Sequence, residues 1–127
     1  MPPRARRILV VEDDVEVSRA VAKMLDDLGY PSVACRDAQE TLGHIQSQTF
    51  DLLLIDYRMP DMTGLDLILM LKQDKSKIPI IMMTGDPATK DRMSAEKLGI
   101  FTILRKPITM NQLAMALEGA LNPGAQE

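Results

Sequence analysis

The chain has 127 residues, 46% of them hydrophobic and 26% charged. That is the length of one domain with enough apolar content to bury a core, and it excludes a low-complexity or disordered protein. A formal charge of -3 offers no general footprint for nucleic acid or acidic lipid. The single cysteine, Cys35, excludes an internal disulfide.

With two Tyr, two Phe and no Trp the core must be aliphatic, and the ten methionines are read as adaptable filler within it. Cys35 is read as simply packed. No apolar run approaches membrane-spanning length and no signal-peptide apolar region opens the sequence. A cytoplasmic protein is therefore expected.

Arg4, Arg6 and Arg7 form a short basic cluster read as a solvated terminus. The first apolar run, Ile8-Leu9-Val10-Val11, predicts a strand. Val15 to Leu28 follows with Val17, Val21, Met24, Leu25 and Leu28 on one helical face, Asp14 as its cap and Gly29 placed to end it. Pro31 to Cys35 is a weaker strand. Asp37 and Glu40 resemble a capping box for a helix over Ala38 to Ser47, with Leu42 and Ile45 inward. Leu52-Leu53-Leu54-Ile55 predicts a buried strand. Thr63 with Asp66 can open a helix to about Gln73.

The run Ile78 to Met83 predicts a fourth strand. Pro87, after a potential Asp86 cap, suits the first turn of a helix to about Leu98. Ala88, Met93 and Leu98 are its few inward candidates, so weak docking is expected. Phe101 to Leu104 predicts the last strand. Thr109 and Gln112 can cap a final helix carrying Leu113, Leu117 and Leu121 inward. His44, the lone histidine, is read as an exposed helix residue.

Five alternations of strand and helix, with continuous rather than alternating apolar runs, predict an α/β domain. Its sheet should be parallel and five-stranded, with five helices covering both faces. One domain accounts for residues 1–127, with a core over about 7–121 and fraying ends at 1–6 and 122–127.

Ligands of open parallel sheets sit beyond the carboxyl ends of the strands. There this sequence places Glu12, Asp13 and Asp14, then Asp56, Thr84 and Lys106. Singly these are weak signals: Asp14 is best read as a helix cap, and Thr84 or Lys106 could be a turn or surface residue. Together they are not. Two carboxylates about 5 Å apart repel by about 3 kcal/mol at an effective dielectric near 20. The cluster therefore needs a cation, and hard oxygens match Mg²⁺. A hydroxyl and an ammonium beside it suit an anion, which describes a phosphoryl-transfer site with Asp56 as nucleophile.

From ILVVEDD through DYRMPDMTG and MMTGD to LRKP, residues 7 to about 121, the chain resembles a receiver domain of a two-component response regulator. The resemblance implies a flavodoxin-like (βα)5 fold with strand order 2-1-3-4-5. It implies phosphorylation on Asp56 and Mg²⁺ held by Asp13, Asp56 and the backbone carbonyl of Arg58, with Glu12 acting mainly through water. It also implies a switch hydroxyl at Thr84 and a phosphoryl-binding lysine at Lys106, whose bond to Pro107 would be cis. As partners it implies a sensor histidine kinase or histidine phosphotransfer protein, and a downstream protein on the face formed by the 87–98 helix, the last strand and the last helix. A phosphorylation-dependent dimer is a further possibility.

The sequence departs from that pattern at Ile103, where an aromatic switch residue usually stands. Arg58 and Asp86 would flank the mouth of the pocket and could meet across it to hinder hydrolytic water; solvated surface charges are the alternative. Three rivals stand beside this reading. A degenerate receiver used only for docking is compatible with Ile103. A haloacid-dehalogenase-like phosphatase would want an acid where Arg58 stands. A flavodoxin-like binder would want Ser, Thr and Gly where Glu12-Asp13-Asp14 would repel a phosphate.

Overall fold

The computed structural model describes residues 5–73, 77–85 and 96–122. Five strands alternate with helices along the chain. They are β1 (Ile8–Val11), α1 (Val15–Asp27), β2 (Ser32–Cys35), α2 (Ala38–Ser47), β3 (Leu52–Asp56), α3 (Gly64–Gln73), β4 (Ile80–Thr84), β5 (Thr102–Arg105) and α4 (Met110–Leu121). All neighbouring strands pair in parallel, in the order β2-β1-β3-β4-β5. The expected architecture and strand order are thus observed.

Four helices stand among the described residues instead of the five expected. The helix expected over 87–98 falls largely on residues 86–95, outside the described residues; Glu96 and Lys97 at its end are helical.

The apolar runs do what unbroken runs should do, which is to fill both faces of a covered sheet. Ile8, Val10, Leu52, Leu54, Ile81 and Met83 point to one side. There they pack against Val21 and Leu25 of α1 and Leu113 and Leu117 of α4. Leu9, Val11, Leu53, Ile55, Ile80 and Met82 point to the other, against Ala38 of α2 and Leu67, Ile68 and Leu71 of α3. Leu42 and Ile45 are only partly buried on that side.

Local chemistry sets the helix ends. Asp14 caps α1 by accepting from the N–H groups of Glu16 and Val17, and Gly29 at φ 89° supplies the left-handed residue beyond it. Thr109 and Gln112 form the complete reciprocal box at α4. Thr63 and Asp66 exchange the same pair of bonds at α3, at 3.2 and 3.1 Å. At α2 only half of the box forms. Asp37 accepts from Glu40 N–H, but the Glu40 carboxylate turns back one residue further, to Arg36 N–H at 3.0 Å.

β4 begins at Ile80, two residues later than the apolar run suggested. Pro79 has no N–H for the ladder, although its carbonyl accepts from Leu53 N–H at 3.0 Å. Cys35 is buried as expected, with Sγ 3.2 Å from Thr41 Oγ1; burial pushes its thiol up to about 11, which leaves it unreactive.

At the far edge of the sheet, the Phe50 ring lies under the Arg7 guanidinium at 5.0 Å and meets the edge of His44 at 6.5 Å. His44 is therefore half-buried against a ring, not the freely exposed residue expected. Arg7 likewise is not a solvated charge: its side chain also bonds Gln48, and its backbone N–H donates to Asp51.

Candidate functional site

The register of the sheet brings the strand tips together. Val11 pairs with Ile55, so the next residues, Glu12 and Asp56, lie side by side. Asp56 pairs with Met83, so Thr84 stands one residue beyond it. Thr84 pairs with Arg105, and the N–H of Lys106 donates to the Thr84 carbonyl at 2.8 Å. Four adjacent chain segments thus deliver Glu12, Asp56, Thr84 and Lys106 to one edge. Glu12, Asp56 and Thr84 are 1%, 5% and 6% exposed, while Asp13 faces solvent.

Glu12, Asp13 and Asp56 each place a carboxylate oxygen within 4.8 Å of the other two. The Lys106 ammonium donates to Glu12 Oε1 at 2.5 Å and lies 3.1 Å from Asp56 Oδ1. Burial, aided by the neighbouring Asp56 carboxyl, lifts Glu12 to about 7 despite the opposing pull of Lys106. Burial alone would lower Lys106, but its bonds to Glu12 and Asp56 outweigh that and raise it. The other Glu12 oxygen accepts from Asp14 N–H at 3.5 Å. No buried side-chain nitrogen or oxygen lacks a partner among the described residues.

The segment after β3 is held close to the site by its own backbone. Arg58 and Thr63 form an isolated antiparallel bridge, and Gly64 N–H donates to the Tyr57 carbonyl at 2.6 Å. A Cβ on Gly64 would stand 2.7 Å from the Asp56 carbonyl oxygen, so only glycine lets α3 begin this close to β3. Nothing in the sequence pattern marks that requirement, because the contact is made by backbone. The direct Lys106–Glu12 pair is likewise unmarked in the sequence, which points the lysine at an anion beside Asp56.

The remaining candidates lie as follows. The Arg58 side chain is exposed. Asp86 lies outside the described residues, and with it the idea that it meets Arg58. Ile103 is partly buried opposite Met82, on the face covered by α2 and α3. Phe101 is exposed just before β5, on the opposite edge from the acids, so the last strand runs one residue later than the sequence suggests. The Lys106–Pro107 bond is cis.

Chemically, the donor set fits a hard divalent cation: carboxylate oxygens alone, one of them open to solvent. An ammonium beside it adds a positive charge, and Thr84 adds a hydroxyl at the neighbouring strand tip. Among the described residues no helix is long and apolar enough to cross a membrane.

The sequence pattern of response regulator receiver domains matches residues 8–118. A probable transcriptional regulator, ycf29, of Pyropia yezoensis is 34% identical over 84% of this chain and 49% of its own length. The CAI-1 autoinducer sensor kinase/phosphatase CqsS of Vibrio cholerae is 34% identical over 86% of this chain but 17% of its own. The chain therefore spans about half or less of these relatives. Among solved structures, the signal receiver domain of an HD domain-containing protein from Pseudomonas fluorescens Pf-5 superposes with a TM-score of 0.88. That pair shares 30% identity and covers 98% of this chain and 100% of the other. Edge geometry, strand order and sequence pattern agree: this chain belongs to the response regulator receiver domain family.

Proposed function

We propose that this receiver domain takes a phosphoryl group onto Asp56 from a phosphohistidine, with Mg²⁺ held by Asp13, Asp56 and the Arg58 carbonyl and with Glu12 acting mainly through water. The observation that carries the reading is the convergence of three carboxylates with the Lys106 ammonium at one strand edge. An Asp56 oxygen forms the new O–P bond as the donor N–P bond breaks, and the imidazole leaves with the electron pair of that bond. The divalent cation, when bound, supplies charge stabilisation for the transferring group.

Lys106 contributes a point charge to the incoming oxygens, and Thr84 a hydroxyl that shifts toward them. Burial of Asp56 limits access of water to the acyl phosphate. Arg58 stands at the pocket mouth; its pairing with Asp86 belongs to the same proposal. With Ile103 on β5, no aromatic side chain swings at that position, and the Thr84 shift must be read out through its neighbour β5. The partners we infer are a histidine kinase or phosphotransfer protein upstream, and a protein docking on the face of β5 and α4 downstream. The location we infer is the cytoplasm, as the sequence suggests.

Incubation with phosphoramidate and Mg²⁺ tests this reading. The parent protein gains about 80 Da, one phosphoryl group, and Asp56→Asn does not. No gain in the parent, or the same gain in Asp56→Asn, refutes it; a parent that stays unmodified while folded would favour a docking module.

A further inference from the structure

The inward face of α3 is filled by Gly64, Leu67, Ile68 and Leu71, which are buried against the sheet. Its outward face carries Asp66, Leu69, Met70 and Gln73, all exposed. At 3.6 residues per turn these four form one stripe along the helix, apolar in the middle and polar at both ends. Leu69 is 49% exposed and Met70 38%. A helix that is apolar on both faces is normally covered on both. Among the described residues nothing covers this one.

We propose that the outward stripe of α3 docks a second copy of this chain, with the two α3 helices antiparallel about a two-fold axis centred between Leu69 and Met70. None of the residues that converge at the strand tips takes part. A two-fold contact needs a patch that complements itself, and this stripe does. In that arrangement each flank of the stripe meets the same flank of the other copy. Leu69 packs on Leu69 and Met70 on Met70, closing the apolar centre. Asp66, in the first turn, comes level with Lys72 in the last turn of the other copy, so acid meets base at both ends. Lys72 lies on the Leu69 flank and reaches on a flexible four-carbon stem. These rim pairs fix the orientation more than they add affinity.

The other exposed apolar helix face lacks this symmetry. Met110 and Met115 stand open on α4, but that helix has no acid in its first turn and no base in its last. The α3 surface is also held in place before any contact forms. Gly64 N–H is bonded to the Tyr57 carbonyl, and the close approach at Gly64 sets the helix against β3. Little ordering is therefore lost on docking. With 10 residues, α3 is about 15 Å long, so the contact buries less than the roughly 1,200–2,000 Å² of a stable interface. The dimer is accordingly weak, with a Kd on the order of 0.1 mM.

Sedimentation equilibrium of the full chain, carried up to about 1 mM, tests the contact. The parent's average mass should rise with concentration toward that of a dimer. Leu69→Gln/Met70→Gln keeps good helix formers at exposed positions and should weaken the Kd at least about tenfold. Lys72→Glu sets two acids level at each end and should weaken it at least about threefold at low salt. Crosslinking places the contact independently. Under mild oxidation with copper phenanthroline, Leu69→Cys should form a disulfide-linked dimer, because the two copies of that position meet across the axis. Cys35 is buried and does not compete. A parent that stays monomeric throughout overturns the inference. So does a dimer untouched by Leu69→Gln/Met70→Gln, or one that crosslinks through Met115→Cys and not through Leu69→Cys, which would place the contact on α4.

Discussion

Two glycine-to-alanine substitutions should move stability in opposite directions. At Gly64 the added methyl would lie 2.7 Å from the Asp56 carbonyl oxygen, 3.1 Å from Ile55 Cγ2 and 3.3 Å from Tyr57 Cα. A relaxed carbon–oxygen contact needs about 3.3 Å, so the start of α3 and the end of β3 must part by about 0.6 Å. Overpacking of this kind costs about 1–3 kcal/mol, and here the yielding atoms are backbone, with no flexible side chain to absorb the strain. The Gly64 N–H bond to Tyr57, now 2.6 Å, would be stretched as well.

Gly43, in α2, has nothing within 4 Å of the same added atom, so Gly43→Ala should stabilise by about 0.5–1 kcal/mol through helix propensity. Urea unfolding of both variants should therefore separate them by about 1.5–4 kcal/mol. The phosphorylation rate should fall in Gly64→Ala alone, since the displaced carbonyl belongs to the proposed phosphoacceptor. Equal stabilities and equal rates would refute the account of Gly64.

Glu12 gives a pH dependence of defined sign. Its folded value of about 7 lies above the ordinary 4.5, so its protonated form is the one folding favours. In chelator, stability should be highest below about pH 4.5 as far as this group is concerned, and should fall as pH rises toward and through 7, by about 3 kcal/mol in all. Glu12→Gln should flatten that fall in urea midpoints measured across the range. Leu54→Ala, at a fully buried position in the central strand, should cost about 3–5 kcal/mol in the same assay. Thr109→Ala removes the acceptor of the α4 box and should cost about 1 kcal/mol, with phosphorylation on Asp56 retained.

The fold could be read from residue order because each strand carries its own signature. The run Leu52 to Ile55 is apolar at every position, which only a sheet covered on both sides satisfies. Caps at Asp14 and Thr109 were equally visible, since they depend on residues three apart or fewer. The site was legible in its membership: Glu12, Asp56, Thr84 and Lys106 each follow a predicted strand. What escaped the sequence were relations set by tertiary distance. The Glu12–Lys106 pair spans 94 residues. Gly64 looks like any turn glycine until β3 is placed beside it. Phe50, in a short polar connection, gave no sign that Arg7 and His44 would gather on its ring.

The 94-residue separation of Glu12 and Lys106 also orders events in time. During synthesis Asp56 emerges well before Lys106, and β5, at the edge of the sheet, is the last strand to emerge. A chain that stops short of β5 carries Glu12, Asp13 and Asp56 but lacks the ammonium that stands between Glu12 and Asp56. Under the proposed function, competence to accept a phosphoryl group is thereby tied to completion of the domain.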